Sequence, residues 1–185
     1  MIIIKRLVCL LIVVLLLFSS CAKNPAEFSS NVLPMEEIWK IEDKTEFIFA
    51  LNDRVFEKCQ YGDNMSALSE PERIFFITQS VEMEVNNGGF EQFFFNSSGN
   101  FSNEIVDAFN KIGAIKTAEI CQKAISAFGT EIPKNRAKRQ DLMASLEDSG
   151  ICDIFYECDI DFYDYPDNLD ELNYEYILKN KDYFS

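Results

Sequence analysis

Residues 82–99 read EMEVNNGGFEQFFFNSSG, and this stretch decides how the chain folds. The glycine pair at residues 88–89 is expected to turn the chain, because glycine adopts backbone conformations that other residues avoid. Three phenylalanines then follow at helical spacing, which predicts a short helix that packs its rings into the core. They are Phe90, Phe93 and Phe94. The alternative interpretation is an aromatic-lined pocket in which Glu91 and Gln92 supply the polar groups.

Helical periodicity continues outward from this stretch in both directions. Ser69 and Glu72 flank Pro71 and predict the start of the helix that runs up to the glycine pair. Ser102 is expected to cap the helix that follows, and Gly113 is expected to end it. Further helices are predicted from residue 45 to before residue 62 and at residues 116–128, 135–146 and 169–179, the last capped by Asp167 or Asn168.

The sequence contains no convincing run of alternating strands, no internal repeat and no glycine-rich phosphate loop. We therefore predict an all-α fold, a compact single-domain bundle of about six to eight helices.

The start of the chain has the layout of a cleavable secretory signal. Lys5 and Arg6 precede an apolar run at residues 7–18, which is shorter than the ~20 residues that a membrane span needs. The sequence LFSSC at residues 17–21 resembles the lipobox of bacterial lipoproteins, although Phe18 stands where that motif usually has leucine. In lipoproteins the cysteine, here Cys21, becomes the acylated first residue.

We therefore expect a signal peptide at residues 1–20, a lipidated tether at residues 21–34 and an acidic helical domain at residues 35–185. The expected location is the cell envelope, where the protein is anchored in a membrane and faces the periplasm or the outside. The alternative is an ordinary signal peptide cleaved near a chance cysteine.

The chain is strongly acidic, with 17 basic and 31 acidic residues. Loss of residues 1–20 removes Lys5 and Arg6, which leaves 15 basic residues against 31 acidic ones and a net charge of −16. Direct nucleic-acid binding is disfavoured, because phosphates require a basic surface. Adhesion to anionic lipid is also disfavoured, so the acyl group is expected to supply the membrane attachment.

The acidic residues concentrate at the end of the chain, where residues 147–185 contain 12 carboxylates and only Lys179 and Lys181 as basic residues. Apolar side chains are interleaved with them, so this segment is expected to fold rather than to remain disordered. Six of these carboxylates are the predicted partner-binding residues. They are Asp161, Asp164, Asp167, Asp170, Glu171 and Glu175.

The chain has no histidine, which removes the Ser-His-Asp and Cys-His mechanisms and histidine zinc sites. We expect no catalytic residue, no cofactor and no metal site. A calcium-loop register through Asp159, Asp161 and Asp170 lacks the glycine that its sixth position requires. Cys121 is expected to be a buried thiol, whereas a bridge between Cys152 and Cys158 is left open.

Four stretches together resemble the DMP-type family of DNA-mimic proteins. They are LSEPER at 68–73, EVNNGGFEQFFFNSSG at 84–99, IGA at 112–114 and YDYPD at 163–167. The resemblance covers residues 35–182 and implies an all-helical domain. It leaves open whether this domain forms a homodimer. Its best-known member displays carboxylates in place of DNA phosphates and occupies the DNA-binding face of a repressor. The resemblance transfers no catalytic residue.

An acidic helical face can imitate a row of phosphates, because side chains three or four positions apart on a helix are about 5–6 Å from one another. An exported protein does not meet a transcription factor in the nucleoid. We therefore expect the same binding mode, an acidic surface that binds a basic protein, but not a cytoplasmic target. The expected protein is a decoy or immunity-type inhibitor that blocks a basic partner, a DNA-binding protein or a toxin. The alternative is an envelope scaffold whose acidity serves only solubility.

Overall fold

The computed structural model describes residues 32–185, and the predicted signal peptide and Cys21 lie outside them. Within the described residues, eight α-helices follow one another, joined by short 3-10 turns and without strands. They are α1 Met35–Ile38, α2 Lys44–Lys58, α3 Glu70–Phe95, α4 Ile105–Ile112, α5 Ile115–Ser126, α6 Arg136–Ser145, α7 Ile151–Tyr163 and α8 Leu169–Lys179. The predicted all-α fold is confirmed. No helix among residues 32–185 is long and apolar enough to cross a membrane.

Helix α3 is the longest element, and it packs against α2, α4, α6, α7 and α8. Its start matches the prediction, because the Ser69 hydroxyl accepts from the Glu72 N–H and the Glu72 carboxylate accepts from the Ser69 N–H at 2.8 Å. Glu72 is buried, and Lys58 pairs with it at 2.7 Å. This pairing matters because a buried carboxylate without a cation or donors would be costly.

The glycine pair interrupts α3, as predicted, and the helix resumes at Phe90. Gly88 has φ −166° and ψ 26°, and Gly89 has φ 75° and ψ −177°, a combination that is open essentially only to glycine. We call this break the α3 kink. The three phenylalanines that follow it are fully buried, so the core interpretation is confirmed for their rings. They are Phe90, Phe93 and Phe94.

The kink directs an aromatic cluster into the centre of the bundle. The Phe94 ring lies 5.1 Å from that of Phe93, 4.9 Å from Phe128 and 5.3 Å from Phe155, measured between centroids. Phe128 follows α5 and Phe155 belongs to α7, so one ring joins three helical segments. Offset and edge-on aromatic pairs at these distances add stabilisation beyond the buried area.

Two details of the predicted secondary structure are wrong. Ser102 does not cap α4, because its hydroxyl bonds to the Gly99 carbonyl and α4 begins only at Ile105. Helices α1 and α7 were not among the predicted helices. Of the two proposed caps for α8, Asn168 is the one that accepts from the N–H of Glu171.

All four cysteines among the described residues are free thiols. Cys152 is exposed and Cys158 is buried, and six residues along a helix separate Cα atoms by about 9 Å, which is beyond disulfide reach. The bridge left open by the sequence is therefore not formed. Cys121 is buried as predicted, and burial raises its pKa, while the pKa of Cys158 rises to about 11 for the same reason. Thiols of this kind are inert.

Candidate functional site: the two sides of α7

Helix α7 separates a buried side from an exposed one with the period of an amphipathic helix. Its buried side chains recur at spacings of three and four and face the core. They are Ile151, Phe155, Cys158 and Phe162. The remaining surface of the helix carries four carboxylates, and they fall into two groups with different environments.

The outer side of α7 carries a row of exposed carboxylates at spacings of four, four and three residues. We call it the α7 acidic stripe, and it consists of Asp153, Glu157, Asp161 and Asp164. Four residues of helix rise by about 6 Å, so these side chains stand at regular intervals along one line. Within the described part of the chain, the stripe forms ion pairs with Lys123 of α5, which lies 3.1 Å from Glu157 and 3.7 Å from Asp161.

An apolar row lies next to this stripe on the same helix. Tyr156 is 68% exposed, Ile160 is 46% exposed and Tyr163 is 48% exposed. Their spacing of four and three residues places them on one line, which we call the α7 apolar stripe. Clustered exposed apolar side chains rimmed by charges are typical of protein interaction sites.

The structure divides the six predicted binding residues into exposed and structural ones. Asp161 and Asp164 belong to the α7 acidic stripe, and Asp170 and Glu175 are exposed on α8. Asp161 and Asp164 also line an open groove of about 390 Å³ against α5, together with Lys116 and Lys123.

Asp167 and Glu171 have partners within the fold. The Asp167 carboxylate accepts from the N–H of Thr117 at 2.8 Å and from its hydroxyl at 3.0 Å, so it caps the first turn of α5. Glu171 pairs with Lys44 at 2.6 Å and thereby ties α8 to the start of α2. These two carboxylates position the acidic surface, whereas the four exposed ones remain accessible.

Sequence reasoning missed Asp153 and Glu157. Both precede the segment that was assigned to binding, and they join it only because α7 is a helix. Their spacing from Asp161 was visible in the sequence, since 153, 157 and 161 differ by four. The buried positions of α7 carry the same period, which would have identified the helix.

The inner side of α7 holds the α3 kink. The Asp159 carboxylate accepts from the backbone N–H of Phe90 at 2.7 Å, directly after the break. Tyr163, at the end of the α7 apolar stripe, reaches the same kink, because its hydroxyl donates to the Val85 carbonyl at 2.9 Å, three residues before the break. Together they satisfy backbone groups that the break leaves without helical partners. Burial raises the pKa of Asp159, and the bond from Phe90 opposes that shift.

Glu84 bridges the two halves of α3 across the kink. Its carboxylate accepts from the side chains of Gln92 at 2.7 Å, Asn96 at 2.9 Å and Ser98 at 2.8 Å. The three donors are neutral and come from residues beyond the break. Gln92 therefore has a structural role here, in contrast to the pocket role that the alternative interpretation gave it.

A second carboxylate before the kink is Glu82, and it bonds to the loop after α7. Tyr165 donates its hydroxyl to Glu82 at 3.1 Å, and Asn86 donates to the Tyr165 oxygen at 2.6 Å. Burial raises the pKa of Glu82, although the bonds from Tyr165 and Gln79 lower it in part. The exposed Asn86 of the distinctive sequence stretch therefore serves to anchor this loop.

Arg139 of α6 closes the carboxyl end of α3. It is fully buried and donates to the backbone carbonyls of Phe94, Asn96, Pro133 and Lys134. A guanidinium at a helix carboxyl terminus satisfies free carbonyls and complements the helix dipole. Burial lowers its pKa.

The buried polar groups around the kink and at the carboxyl end of α3 are thus paired with neutral donors or with Arg139. These hydrogen bonds stabilise the interrupted backbone of α3. Within residues 32–185 no group of three or more Cys, Asp or Glu side chains has the arrangement of a metal site. Asp159 and Asp161, which the calcium-loop register used, lie on α7 rather than in a loop.

Comparison with known proteins identifies the family. A family model described as DMP19-like protein matches residues 66–180, which is more than half of the chain. No curated protein matches significantly, and neither does any solved structure. The matched region begins just before α3 and ends just after α8, so it includes the kink and both sides of α7. The chain therefore belongs to the DMP19-like protein family.

Proposed function

We propose that this protein is a non-enzymatic, lipid-anchored binding module that presents carboxylates in place of phosphates to a basic protein. The partner would be a DNA-binding protein or a toxin, and the module would act on it as a decoy or immunity-type inhibitor. The observation that carries this proposal is the α7 acidic stripe, in which four exposed carboxylates stand in helical register and, among residues 32–185, form ion pairs with Lys123 alone.

The stripe forms a row of like charges, as the phosphates along a DNA strand do. Its carboxylates repeat about every 6 Å along α7, whereas a DNA strand carries one phosphate charge per ~3.4 Å of helix axis, so the stripe is a sparser row of the same sign. Asp170 and Glu175 add two exposed charges on α8. Lys123 neutralises part of this charge in the free protein. An arginine of the partner, which can bond a carboxylate through two N–H groups, would compete for the same carboxylates.

The α7 apolar stripe supports a protein as the partner. Tyr156 and Ile160 are exposed beside the carboxylates, and interface centres are enriched in aromatic side chains. A mixed surface of this kind gains affinity from the apolar row and orientation from the charges.

Neutralising the stripe tests the proposal. The variant with Asp153→Asn, Glu157→Gln, Asp161→Asn and Asp164→Asn is compared with wild type for capture of partners from envelope extracts and for affinity to each purified partner. We expect at least about a tenfold loss of affinity and a weaker salt dependence, because close charge pairs are screened over ~8 Å at physiological ionic strength.

The matched control removes four exposed carboxylates elsewhere, with Glu36→Gln, Glu42→Gln, Glu131→Gln and Asp141→Asn. It should bind like wild type. Equal losses of affinity in both variants would show that net charge, and not the stripe, determines binding. Unchanged binding by the stripe variant would contradict the proposal and support the scaffold function, in which acidity serves only solubility.

The anchor is tested separately with Cys21→Ser. Acylation at Cys21 would be the membrane-seeking feature of the mature chain, so the variant should leave the membrane fraction or accumulate as an unprocessed precursor. Metabolic labelling with a fatty-acid analogue should mark the wild type alone. Equal labelling of both proteins would contradict lipidation at this residue.

A further inference from the structure

The turn after α2 stores backbone strain and exposes an aromatic ring. Gln60, Tyr61 and Gly62 are consecutive residues with left-handed backbones, at φ 53°, 56° and 99°. Two of them are not glycine, and a left-handed backbone is unfavourable for such residues. Tyr61 is nevertheless 72% exposed, so the strain is not offset by burying its ring. Strain of this kind concentrates where a protein binds a ligand.

The exposed ring belongs to a cluster of four aromatic side chains around a small cavity of about 60 Å³. Phe56 contacts Tyr61 at 6.4 Å and Phe76 at 4.4 Å, and Phe76 contacts Phe101 at 5.5 Å, all between ring centroids. A cavity of this volume has room for a few water molecules. It therefore suits the end of a chain rather than a whole cofactor.

The charged side chain in this cavity is an acceptor, and three serines, Ser80, Ser97 and Ser98, also line it. The exposed carboxylate of Asp63 lines it, and no lysine or arginine is among the described residues that do. Asn100 also lines it, and its buried Oδ1 has no hydrogen-bond partner among residues 32–185. A buried acceptor without a donor is unfavourable, so the site calls for a ligand with an N–H or O–H group.

One cation already lies on this aromatic cluster from outside. The Arg73 guanidinium is 5.5 Å from the Phe101 centroid, and Glu104 neutralises it through a bidentate pair at 2.8–2.9 Å. The neighbouring charge is thus compensated and does not repel a second cation in the cavity.

We propose that the cavity binds a primary alkylammonium group, either a free amine or the end of a lysine side chain. The aromatic rings attract the cation, Asp63 supplies the opposite charge, and Asn100 accepts one of the ammonium hydrogens. The site is separate from the α7 stripes and does not depend on the function proposed for them.

The test uses the isotopically labelled full chain in a mild detergent, titrated with n-butylammonium. We expect saturable chemical-shift changes confined to the four rings, Asp63 and Asn100. Tetramethylammonium, which has no N–H group, should bind several-fold more weakly, and butanol should cause no such changes. A cavity that holds only water would give no saturable change with any of the three, which would overturn the proposal.

Two exposed residues allow mutation at little cost in folding. Tyr61→Ala and Asp63→Asn should each weaken butylammonium by about two- to fivefold, the size expected for an exposed cation–aromatic contact. The matched controls are Tyr183→Ala, an exposed tyrosine outside the cavity, and Asp53→Asn on α2. Unchanged binding in both cavity variants would also overturn the site.

The source of the amine is decided with a short lysine-containing peptide and its Nε-acetylated copy. Shifts caused by the first and not by the second would support a lysine of a protein. Shifts from butylammonium alone would support a free amine. Shifts that both peptides cause to the same extent would contradict recognition of an ammonium group.

Discussion

The two sides of α7 carry carboxylates with opposite relations to the fold. On the inner side, Asp159 is partly buried and accepts from the Phe90 N–H at the α3 kink. On the outer side, only two residues further along, Asp161 is exposed and 3.7 Å from Lys123. An aspartate thus stabilises the backbone on the inner side of α7, whereas on the outer side it is a charge that a partner can reach.

This difference follows from helix geometry. Two residues along a helix turn the side chain by about 200°, so Asp159 and Asp161 point in nearly opposite directions. The net charge therefore overstates the number of carboxylates that a partner can contact, because inward carboxylates such as Asp159 and Asp167 already accept hydrogen bonds within the fold. The functional acidity of this protein depends on which carboxylates face outward.

The largest expected effect is at the kink itself, with Gly89→Ala. The backbone of Gly89 is open essentially only to glycine, and a Cβ there would collide with the Asp159 carboxylate. We expect a loss of about 3 kcal/mol or more in the free energy of unfolding, measured with denaturant.

Gly129→Ala is the matched control for this substitution. Gly129 also has a positive φ, of 64°, but nothing lies within 4 Å of its added Cβ. Its cost should be limited to about 1–2 kcal/mol of backbone strain. Equal losses in the two variants would show that the contact with α7 contributes nothing to the kink.

The next effect separates the two sides of α7 directly. Asp159→Ala leaves the Phe90 N–H without its acceptor and should cost about 2 kcal/mol in unfolding free energy. Asp153→Ala on the outer side should change it by less than about 0.5 kcal/mol. A reversal of this order in urea unfolding would break the distinction between the two sides.

The pH dependence of stability gives a smaller effect, through Glu82. Burial raises the pKa of this carboxyl above its ordinary value of 4.5, so the folded protein holds its proton more tightly than the unfolded chain. Stability from this group is present at low pH and is lost as the pH rises from 4.5 to the folded-state pKa.

Glu82→Gln should therefore flatten the fall in unfolding free energy above pH 4.5, because it replaces the ionisable group with a neutral one. Glu131→Gln, at an exposed position, serves as the control and should keep the wild-type slope. An unchanged slope in Glu82→Gln would mean that the carboxyl titrates alike in both states.

Much of the fold could be predicted from the sequence, since local signals fix it. The capping box at Ser69 and Glu72, the glycine pair and the phenylalanine spacing each act over a few residues, and the structure has all three. Helix α7 was not predicted, because closely interleaved acidic and apolar residues mask its helical period.

The sequence could not predict which carboxylates are bonded within the fold, because this depends on contacts between distant residues. Asp167 is 50 positions from Thr117 and Glu171 is 127 positions from Lys44, and no local sequence pattern predicts either pair. The cavity beside Tyr61 is hidden for the same reason, since its rings come from three separate segments.

The smallest effect on stability is expected on the outer side of α7, with the four substitutions that neutralise the acidic stripe. Like charges four residues apart on a helix repel by about 0.2–0.5 kcal/mol per pair, whereas the exposed Lys123 pairs contribute about as little. These terms oppose each other, so the unfolding free energy should change by less than about 0.5 kcal/mol.

Salt provides the sharper measurement of that balance. In wild type, added salt screens both the repulsion within the stripe and the attraction to Lys123, while in the neutralised variant neither is present. Unfolding in urea at low and at high salt should give nearly the same difference between the two proteins. A loss above about 1 kcal/mol at low salt would assign the stripe to the fold, because carboxylates that stabilise the protein are not free to bind a partner without cost.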